Sequence, residues 1–443
     1  MTPETLSASY ARISRDPRPI DELRQIARGE VEKSRKSNSA IIFKMGHHSI
    51  AEHAIFNFDL IGISRLALEE VEKFRLCSYT EKSQRYQKLE DDFLVPDEIK
   101  EAGLEKDFVE LIKKQNKFYH KMVEAGVEPE DARYGTSLAT QGQVGLTVNA
   151  RNLEFMLRRF ASSDLAEIRK LGQEMYKLVH EIAPSIILFT QANDYDQKSY
   201  EGVKKELEGI RREKRGSEGE DDVELVFYTE NGDENILAAL IHRSTDLSYQ
   251  ESLAKAKAMS EEEKKNLIKT CFQYAEFYDR PQREFEYADL NFELIVSAAC
   301  FAQLKRHRMA TLTTQPYNIS LGVMIPAGVK KAGLEAAFNE IIISTNQLFE
   351  KVNNVTPLGA QYLLTNAHRR RVLFKTNVRE LYHVSRLRED AHAQWDIQII
   401  TSKMCELAKQ VMPLTTMLIG GKDLYPEIYQ IQFGKKPKVL PQY

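Results

Sequence analysis

Phe56 to Tyr86 reads FNFDLIGISRLALEEVEKFRLCSYTEKSQRY, and Leu290 to Asn318 reads LNFELIVSAACFAQLKRHRMATLTTQPYN. Both stretches open with alternating apolar and polar residues, the period of a half-buried strand, and both continue into helical periodicity. Lys73 aligns with Arg306, which lies 233 residues later in the chain. The sequence therefore predicts the same strand and helix at two places.

A second pair of stretches repeats in the same order. Glu128 to Phe160 contains EPEDARYGTSLA and VNARNLEFMLRRF, and Thr356 to Arg388 contains TPLGAQYLLTNA and TNVRELYHVSRLR. The offset here is 228 residues, close to that of the first pair. Two blocks in one order at a nearly constant offset indicate a tandem duplication of one domain. We predict repeat one over residues 1–200, a charged linker over 201–221 and repeat two over 222–443.

Each repeat is predicted to be an α+β domain in which helices pack on a small, mainly antiparallel sheet. Leu153–Ile187 and Arg379–Val411 carry apolar residues at helical spacing over many turns, so they are predicted to form long amphipathic helices. The linker is predicted from its dense mixed charge and its scarcity of large apolar side chains.

Composition limits the class of protein. Of the 443 residues, 42% are hydrophobic and 29% are charged, and 62 lysines and arginines face 65 acidic residues for a net charge of −3. These values are typical of a globular protein with sizeable cores, and they exclude a small disulfide scaffold, a fibre or a disordered chain. We expect no nucleic-acid partner, because the arginines lack interleaved aromatic residues and the net charge is negative.

The cysteines and the N-terminus bear on the compartment. Cys77, Cys271, Cys300 and Cys405 are too few and too scattered for a disulfide framework or a zinc site. Met1 to Arg12 shows no basic stretch followed by an apolar run, and nowhere do about 18 apolar residues follow one another. We therefore expect a cytoplasmic protein with no signal peptide and no membrane contact.

A basic cluster ends the helical run in repeat two. Gln303 and Arg306 share a helix face, whereas Arg308, beyond His307, points elsewhere, so the cluster suits contact with two anionic groups. In repeat one the aligned tripeptide is Lys73-Phe74-Arg75, so the cluster is broken there. A solvated basic helix end, favoured by the helix dipole, is the alternative interpretation.

Repeat one carries EKSQRY over Glu81–Tyr86 instead. Ser83 and Arg85 flank one residue in a turn-like segment, and together with backbone amides they can close on a phosphate. Repeat two has TQPYN over Thr314–Asn318 at this place, which lacks both groups and one N–H. The phosphate-binding pattern is therefore confined to repeat one.

Upstream in repeat one lies GHHSIAEHA, Gly46 to Ala54. His48, Glu52 and His53 approach one helix face, which would suit a metal, but the spacing does not match H-E-x-x-H and no further carboxylate or cysteine cluster lies nearby. We expect no metal site here, and we expect Ser49 and Glu52 to act in capping and ligand contact.

Taken together, GHHSIAEHAIFNF, the RHR of Arg306–Arg308, SYTEKSQRY and the two N-x-R-x-L segments resemble the flavin-dependent thymidylate synthase (ThyX) family. Members carry G-H-x-S/T-x-x-E-H, R-H-R-x-x-S-x-N-x-x-S-x-R and N-x-R-x-L with a late arginine. The resemblance covers both halves of the chain except the linker and the extreme ends. It implies reductive methylation of dUMP to dTMP, with FAD as cofactor and 5,10-methylenetetrahydrofolate and NADPH as co-substrates.

The resemblance also implies roles for individual residues. Arg388 is the implied catalytic residue, because its charge can stabilise an enolate-like pyrimidine whose C5 must become nucleophilic. The alternative is that Arg388 is one of several surface arginines. The residues implied to bind the substrate are Glu81, Lys82, Ser83, Gln84, Arg85, Arg133, Gln303 and Arg306. The residues implied to bind the flavin are Ser49, Glu52, Arg306, His307, Arg308, Asn377, Arg379 and His383.

The two repeats depart from the family pattern in complementary ways. Repeat two has Gln361 where Arg133 would be, and repeat one has Phe160 in place of Arg388. The family builds each site between subunits of a homotetramer. We therefore expect one chain to encode both halves of a composite site and to form a homodimer that mimics the tetramer. Two alternatives stay open: a related flavoenzyme acting on another pyrimidine nucleotide, and a non-catalytic nucleotide-binding paralogue.

Overall fold

Two compact units make up the computed structural model, which describes residues 1–85, 89–210 and 221–438. The first unit consists of the residues up to 210 together with Pro326–Thr365, and the second consists of residues 221–325 and 366–438. The predicted limits of the repeats follow the sequence and stay a prediction. Within the predicted linker, residues 211–220 lie outside the described residues.

The first half of the chain is mainly helical. In chain order its elements are α1 (Pro3–Arg12), α2 (Ile20–Gly29), α3 (Val31–Ser39), a π-helical turn (Ala40–Lys44), a 3₁₀ turn (His48–His53), β1 (Ile55–Ser64), α4 (Arg65–Val71), β2 (Cys77–Glu81), α5 (Asp97–Glu101), α6 (Glu105–Glu124), α7 (Pro129–Ala132), a 3₁₀ turn (Arg133–Gly135), β3 (Gln141–Asn149), α8 (Ala150–Ala161), α9 (Ala166–Ile182) and α10 (Asp194–Glu206).

The second half repeats much of this order. Its elements are β4 (Val223–Tyr228), α11 (Gly232–Ser244), α12 (Tyr249–Ala258), α13 (Glu261–Phe272), a 3₁₀ turn (Arg283–Glu286), β5 (Asp289–Ser297), α14 (Ala298–Leu304), β6 (Thr311–Thr314), a 3₁₀ turn (Ile319–Leu321), α15 (Ala327–Lys331), α16 (Glu335–Asn353), α17 (Pro357–Gln361), β7 (Arg369–Asn377), α18 (Val378–Arg388), α19 (Trp395–Val411) and α20 (Gly421–Phe433).

A three-stranded antiparallel sheet in the order β1-β3-β2 lies in the first unit. Leu60 pairs with Val144, and both side chains are buried on the same face of the sheet. Alternate residues along each strand point to this face. The register shifts after Ile61, where Gly62 has a φ of +71° that favours glycine. This bulge lies just before the junction of β1 with α4.

The sheet of the second unit has four antiparallel strands in the order β4-β5-β7-β6. Phe292 of β5 pairs with Phe374 of β7, and both rings are fully buried in the core of this unit. Leu294 and Val372 pair two positions further along and belong to the same core. The predicted α+β class, with small antiparallel sheets packed by helices, is confirmed.

A serine joins strand to helix in the same way in both units. Ser64 Oγ accepts the N–H of Ala67 at the start of α4 and donates to Glu167 Oε2 at 2.7 Å. Ser297 Oγ caps α14 in the same manner and donates to the buried carboxylate of Asp396. The serine therefore fixes the start of the helix that leads to each predicted site.

The predicted continuous helix over Leu153–Ile187 is wrong, because α8 and α9 are separated by a four-residue break. Ser162 Oγ donates to the carbonyl of Arg158 at 3.0 Å, and Ser163 Oγ accepts the N–H of Leu165 at 3.2 Å. These hydroxyls compete with helical backbone bonds, so the chain turns although the apolar period continues.

The predicted helix over Arg379–Val411 is likewise divided into α18 and α19. Asp390 lies in the break, where its carboxylate accepts the N–H of His392 at 2.9 Å and its carbonyl accepts a side-chain N–H of Gln398 at 2.6 Å. An aspartate that bonds nearby backbone in this way favours a turn over helix. Arg388 is therefore the last residue of a helix and not part of its interior.

Pro326–Thr365 belongs to the first unit, although its sequence comes from repeat two. Gln115 of α6 donates to Thr345 Oγ1 of α16 at 2.9 Å and to the carbonyl of Leu363 at 3.0 Å. Tyr362 donates to Glu167 Oε2 at 2.9 Å, and burial raises the pKa of that carboxyl. The segment is thus held by buried hydrogen bonds as well as by apolar packing.

A search of the described residues for a helix long and apolar enough to cross a bilayer returned none.

Candidate functional site

A cavity of about 210 Å³ in the first unit collects most residues of the predicted phosphate-binding segment. Its lining includes Glu81, Lys82, Ser83, Gln84 and Arg133. The first four follow one another at the end of β2, and Arg133 comes from the 3₁₀ turn after α7. Two segments that are distant in sequence therefore meet in one cavity.

The segment after β2 is shaped by two hydrogen bonds. The N–H of Lys82 donates to the carbonyl of Gln143 on β3 at 2.9 Å, which is the last bond of the ladder. Ser83 Oγ then accepts the N–H of Arg85 at 3.2 Å and closes a turn. Arg85 does not line the cavity; its Nε donates to Glu130 Oε2 at 2.7 Å.

Arg133 places a positive charge in a dry environment. Its side chain belongs to a residue that is 7% exposed, and its Nε donates to the carbonyl of Glu130 at 3.1 Å. Burial lowers the pKa of Arg133, and the positive charges of Arg65 and Arg85 lower it further. An anion in the cavity would interact favourably with the buried guanidinium of Arg133.

Arg65 is a residue that the sequence analysis missed. It is the first residue of α4 and is buried, and its guanidinium forms an ion pair with Glu81 at the cavity. The sequence holds one signal for it: an arginine inside the apolar run ISRLAL, where a charge is retained only with a partner. Arg65 holds Glu81 in place and so helps to position the segment that follows β2.

The basic cluster of the second unit divides into buried and exposed members. Gln303 and His307 are buried, whereas Arg306 and Arg308 are exposed at the end of α14. The buried Nε2 of Gln303 has no hydrogen-bond partner among the residues described in this unit. A buried amide donor without a partner is costly, so this atom is available to a ligand acceptor.

The candidate catalytic residue, Arg388, is hydrogen-bonded to the imidazole of His307. Arg388 Nε donates to His307 Nε2 at 2.9 Å, and Arg388 Nη2 donates to the carbonyl of Gln303 at 3.1 Å. Burial lowers the pKa of His307 to about 3, and the charge of Arg388 contributes to that shift. The imidazole is therefore neutral, and because Nε2 accepts, its proton lies on Nδ1, which faces Glu380 Oε1 at 3.7 Å.

Helix α18 carries Arg388 to this position, with Asn377 at its start. Asn377 Oδ1 accepts the N–H of Glu380 at 2.8 Å and so caps the helix. Arg379 donates to the carbonyl of Pro281 at 2.8 Å and to Glu286 at 3.0 Å. In the described structure these two predicted flavin-binding residues thus make contacts that hold the helix in place.

His383 completes a cluster with His307 and Glu380, and the candidate ligand atoms of the three lie within 4.8 Å of one another. Burial lowers the pKa of His383 and raises that of Glu380. The cluster fits a shared proton better than a metal ion, since His307 already accepts from a guanidinium and the charges of Arg280 and Arg388 act on His383. Elsewhere in the described part of the chain no such metal-binding group was found.

Repeat one has aromatic rings at the three corresponding positions. Phe74, Phe155 and Phe160 align with His307, His383 and Arg388. The ring of Phe74 contacts the other two edge to face, each with centroids 5.7 Å apart. A polar cluster in the second unit thus corresponds to an aromatic cluster in the first, where packed rings fill the space.

Ser49 and Glu52 lie on the 3₁₀ turn before β1, and both are exposed. Glu52 pairs with Arg151 at 2.5 Å, and neither predicted residue lines the cavity described above. The ring of His53 stacks on Tyr10 with centroids 4.2 Å apart. His53, the last histidine of GHHSIAEHA, is therefore packed on an aromatic side chain.

The predicted residues fall into two groups by unit. The cavity of the first unit brings together the residues from β2 with Arg133, and the second unit brings together Gln303, His307, His383 and Arg388.

A family model described as Thy1, thymidylate synthase complementing protein, matches residues 1–185 and 224–414. A UPF0159 protein of Chlamydia muridarum is 23% identical over 423 residues, which cover 86% of this chain and 80% of that protein. A flavin-dependent thymidylate synthase of Geobacter sulfurreducens is 33% identical over 192 residues, covering 42% of this chain and 80% of that protein.

Among solved structures, this chain is similar to a UMP/dUMP methylase, PolB from Streptomyces cacaoi bound with 5-Br dUMP. The identity is 14% and the TM-score 0.34, and the match covers 44% of this chain and 92% of that chain.

Proposed function

Because the chain belongs to the thymidylate synthase complementing protein (Thy1) family, we propose that it is a flavin-dependent thymidylate synthase. The proposed reaction is reductive methylation of dUMP to dTMP, with 5,10-methylenetetrahydrofolate as the carbon donor and NADPH as the reductant. The observation that carries the proposal is the cavity of the first unit, where Ser83 and Arg133 meet beside further guanidinium groups. Such a cavity suits the phosphate of a nucleotide.

The first unit would hold the nucleotide by its phosphate. Ser83 offers a hydroxyl, Arg133 offers a buried guanidinium, and Arg85 lies next to the same turn. A phosphate dianion compensates a buried positive charge and accepts several charge-assisted hydrogen bonds, each stronger than a neutral one. We propose Gln303 and Arg306 as contacts to the sugar and base.

Arg388 would stabilise the activated pyrimidine. Nucleophilic attack by C5 needs electron density in the ring, and a fixed positive charge lowers the energy of the enolate-like form. The neutral ring of His307 accepts from Arg388 without adding positive charge, so it orients the guanidinium at little electrostatic cost. This is the contribution that we assign to the pair.

The second unit also fits a flavin. FAD, when bound, supplies the hydride that completes the methyl group. The residues that would hold it are Arg306 and Arg308, which are exposed cations, together with His307 and His383. A planar, hydrogen-bonding ring with phosphates matches this mixture of donors. Ser49, Glu52, Asn377 and Arg379 are proposed as further flavin contacts.

We propose that a working site needs the nucleotide-binding half from repeat one and the arginine half from repeat two. The support is the pattern of replacement: Gln361 stands where repeat one has Arg133, and Phe160 stands where repeat two has Arg388. Each half is intact where its counterpart is replaced. A homodimer would then carry the sites that the family builds in a tetramer.

The proposal is tested by incubating the purified chain with FAD, NADPH, dUMP and methylenetetrahydrofolate labelled in the methylene carbon. We expect label in dTMP and absorption by a bound flavin. A protein that binds FAD tightly but leaves dUMP unchanged would favour another pyrimidine nucleotide as substrate. A colourless protein that binds dUMP would favour a non-catalytic paralogue.

A further inference from the structure

Three positions of the nucleotide cavity carry larger side chains in repeat two. Leu68, Gln84 and Gly142 line the cavity of the first unit, and they align with Phe301, Tyr317 and Arg370. Strand registers support this alignment. Gly142 lies opposite Ile63 in the first sheet, and Arg370 lies opposite Val296, the residue aligned with Ile63, in the second.

In the second unit the guanidinium of Arg370 lies over both aromatic rings. The guanidinium carbon of Arg370 lies 4.8 Å from the ring centroid of Phe301 and 4.4 Å from that of Tyr317. Its Nε donates to the carbonyl of Gln315 at 2.7 Å. Phe301 and Tyr317 are 4% and 2% exposed, so the planar cation lies against two buried aromatic rings.

The cavity of the first unit depends on the absence of a side chain at the aligned position. A Cβ built on Gly142 would lie 2.8 Å from Leu68 Cδ1, so even an alanine requires that methyl group to shift. A long side chain at position 142 would extend into the cavity that this glycine lines. The glycine therefore keeps the cavity open, and the arginine of repeat two occupies the corresponding place.

We propose that the side chain of Arg370 fills the place in repeat two that corresponds to the nucleotide cavity of the first unit. Repeat two then has no open cavity there, so that each chain binds one nucleotide. A guanidinium stacks on aromatic rings as a planar base does, and it fills space that would otherwise be a destabilising void. The proposal rests on the proposed function, because it takes the cavity of the first unit to be the nucleotide site.

Isothermal titration of the FAD-loaded full chain with dUMP tests the proposal. We expect one dUMP per chain for the wild type. Gly142→Arg places an arginine side chain in the open cavity of the first unit and should weaken dUMP binding by about 100-fold or more. Gly142→Ala should retain most of the affinity, since only a flexible methyl group of Leu68 must shift. Arg370→Gly changes the aligned position of repeat two and should leave the first site at wild-type affinity.

Two dUMP per wild-type chain would overturn the proposal, and so would unchanged binding by Gly142→Arg. Equal loss of binding in Gly142→Arg and Arg370→Gly would show that both act by destabilising the chain, which also overturns it. Thermal unfolding of the variants separates these cases. No dUMP binding by the wild type, with a folded and FAD-loaded chain, would instead contradict the proposed function.

Discussion

Arg388 donates its Nε hydrogen to Nε2 of His307 at 2.9 Å, so a guanidinium at the end of α18 rests on a buried neutral imidazole. The contact depends on the pKa of His307, which burial lowers to about 3. A protonated imidazole could not accept from Arg388 and would repel it. The protonation state of His307 therefore determines whether this hydrogen bond can hold Arg388 in its position.

Arg388→Ala should abolish dTMP formation while FAD stays bound, because the substitution removes the charge that we propose to stabilise the activated pyrimidine and spares the proposed flavin contacts. Losing one preorganised charge of this kind costs about 10² to 10³ in turnover or more. Turnover is measured by dTMP formation, and flavin content by absorption of the purified variant. Arg243→Ala is the matched control, since Arg243 is a surface arginine of the same unit paired with Glu284. Wild-type turnover by Arg388→Ala would remove this residue from the catalytic role.

His307 should make the chain less stable in acid. Its pKa is lowered in the native state, so the unfolded chain binds a proton that the native chain excludes. The free energy of unfolding should fall as the pH drops from about 6.5 towards 3, by up to about 1.4 kcal/mol per pH unit from this group. Urea unfolding across this range should show that slope, and His307→Gln should reduce it. Identical slopes in the two proteins would contradict the assignment of a neutral buried imidazole.

Arg133→Gln should weaken dUMP binding, because glutamine removes a buried positive charge that faces the cavity. Glutamine is the residue that repeat two carries at this place, as Gln361, so it is compatible with the local fold. We expect a loss of at least about tenfold in affinity, equivalent to about 1.4 kcal/mol, measured by titration calorimetry. Arg133→Lys keeps the charge without the planar fork and should lie between the two. Equal affinities for all three would place the phosphate elsewhere.

Ser83→Ala should also weaken dUMP binding. The hydroxyl would be lost both as a phosphate donor and as the acceptor that closes the turn at Arg85. One hydrogen bond to a charged group contributes about 1.5 to 3 kcal/mol, or roughly tenfold to a hundredfold in affinity. Ser83→Thr keeps the hydroxyl and is the matched control. A dissociation constant unaffected by Ser83→Ala would show that the turn does not contact the phosphate.

The strands could be predicted from the sequence, whereas the ends of the long helices could not. The alternation of β1 and β5 follows directly from the period of two, since one face of each strand is buried. The helix breaks at Ser162 and Asp390 were missed, because apolar periodicity continues across them while the hydroxyls and the carboxylate bond to backbone. Hydrophobic pattern alone therefore overestimated helix length.

Some residues of the candidate site could likewise be predicted from the sequence, and others could not. Ser83 and Arg133 were predicted to act together, and they line one cavity. Arg65 was missed, since its ion pair with Glu81 joins α4 to β2 and nothing in the local sequence states that pairing. The filling of the second cavity by Arg370 was missed too, because it depends on stacking between rings that are far apart in sequence. Long-range side-chain contacts were the part that sequence could not supply.

Flavin content tests the composite arrangement. If each chain supplies one arginine half, saturating the protein with FAD should give one flavin per chain, since the aromatic cluster of Phe74 and Phe160 has replaced the second. Absorption after removal of unbound FAD gives this ratio. Two flavins per chain would show that repeat one still holds a flavin and would contradict the division of roles.

Methylation of dUMP with electrons from the chain's own flavin is the proposed reaction. The most direct measurement is a single turnover in the absence of oxygen: FAD-loaded protein is reduced, mixed with dUMP and methylenetetrahydrofolate, and quenched. We expect dTMP in an amount that approaches the amount of bound reduced flavin, with none from Arg388→Ala. Reduced flavin that persists beside unchanged dUMP, in protein that demonstrably binds both, would contradict it.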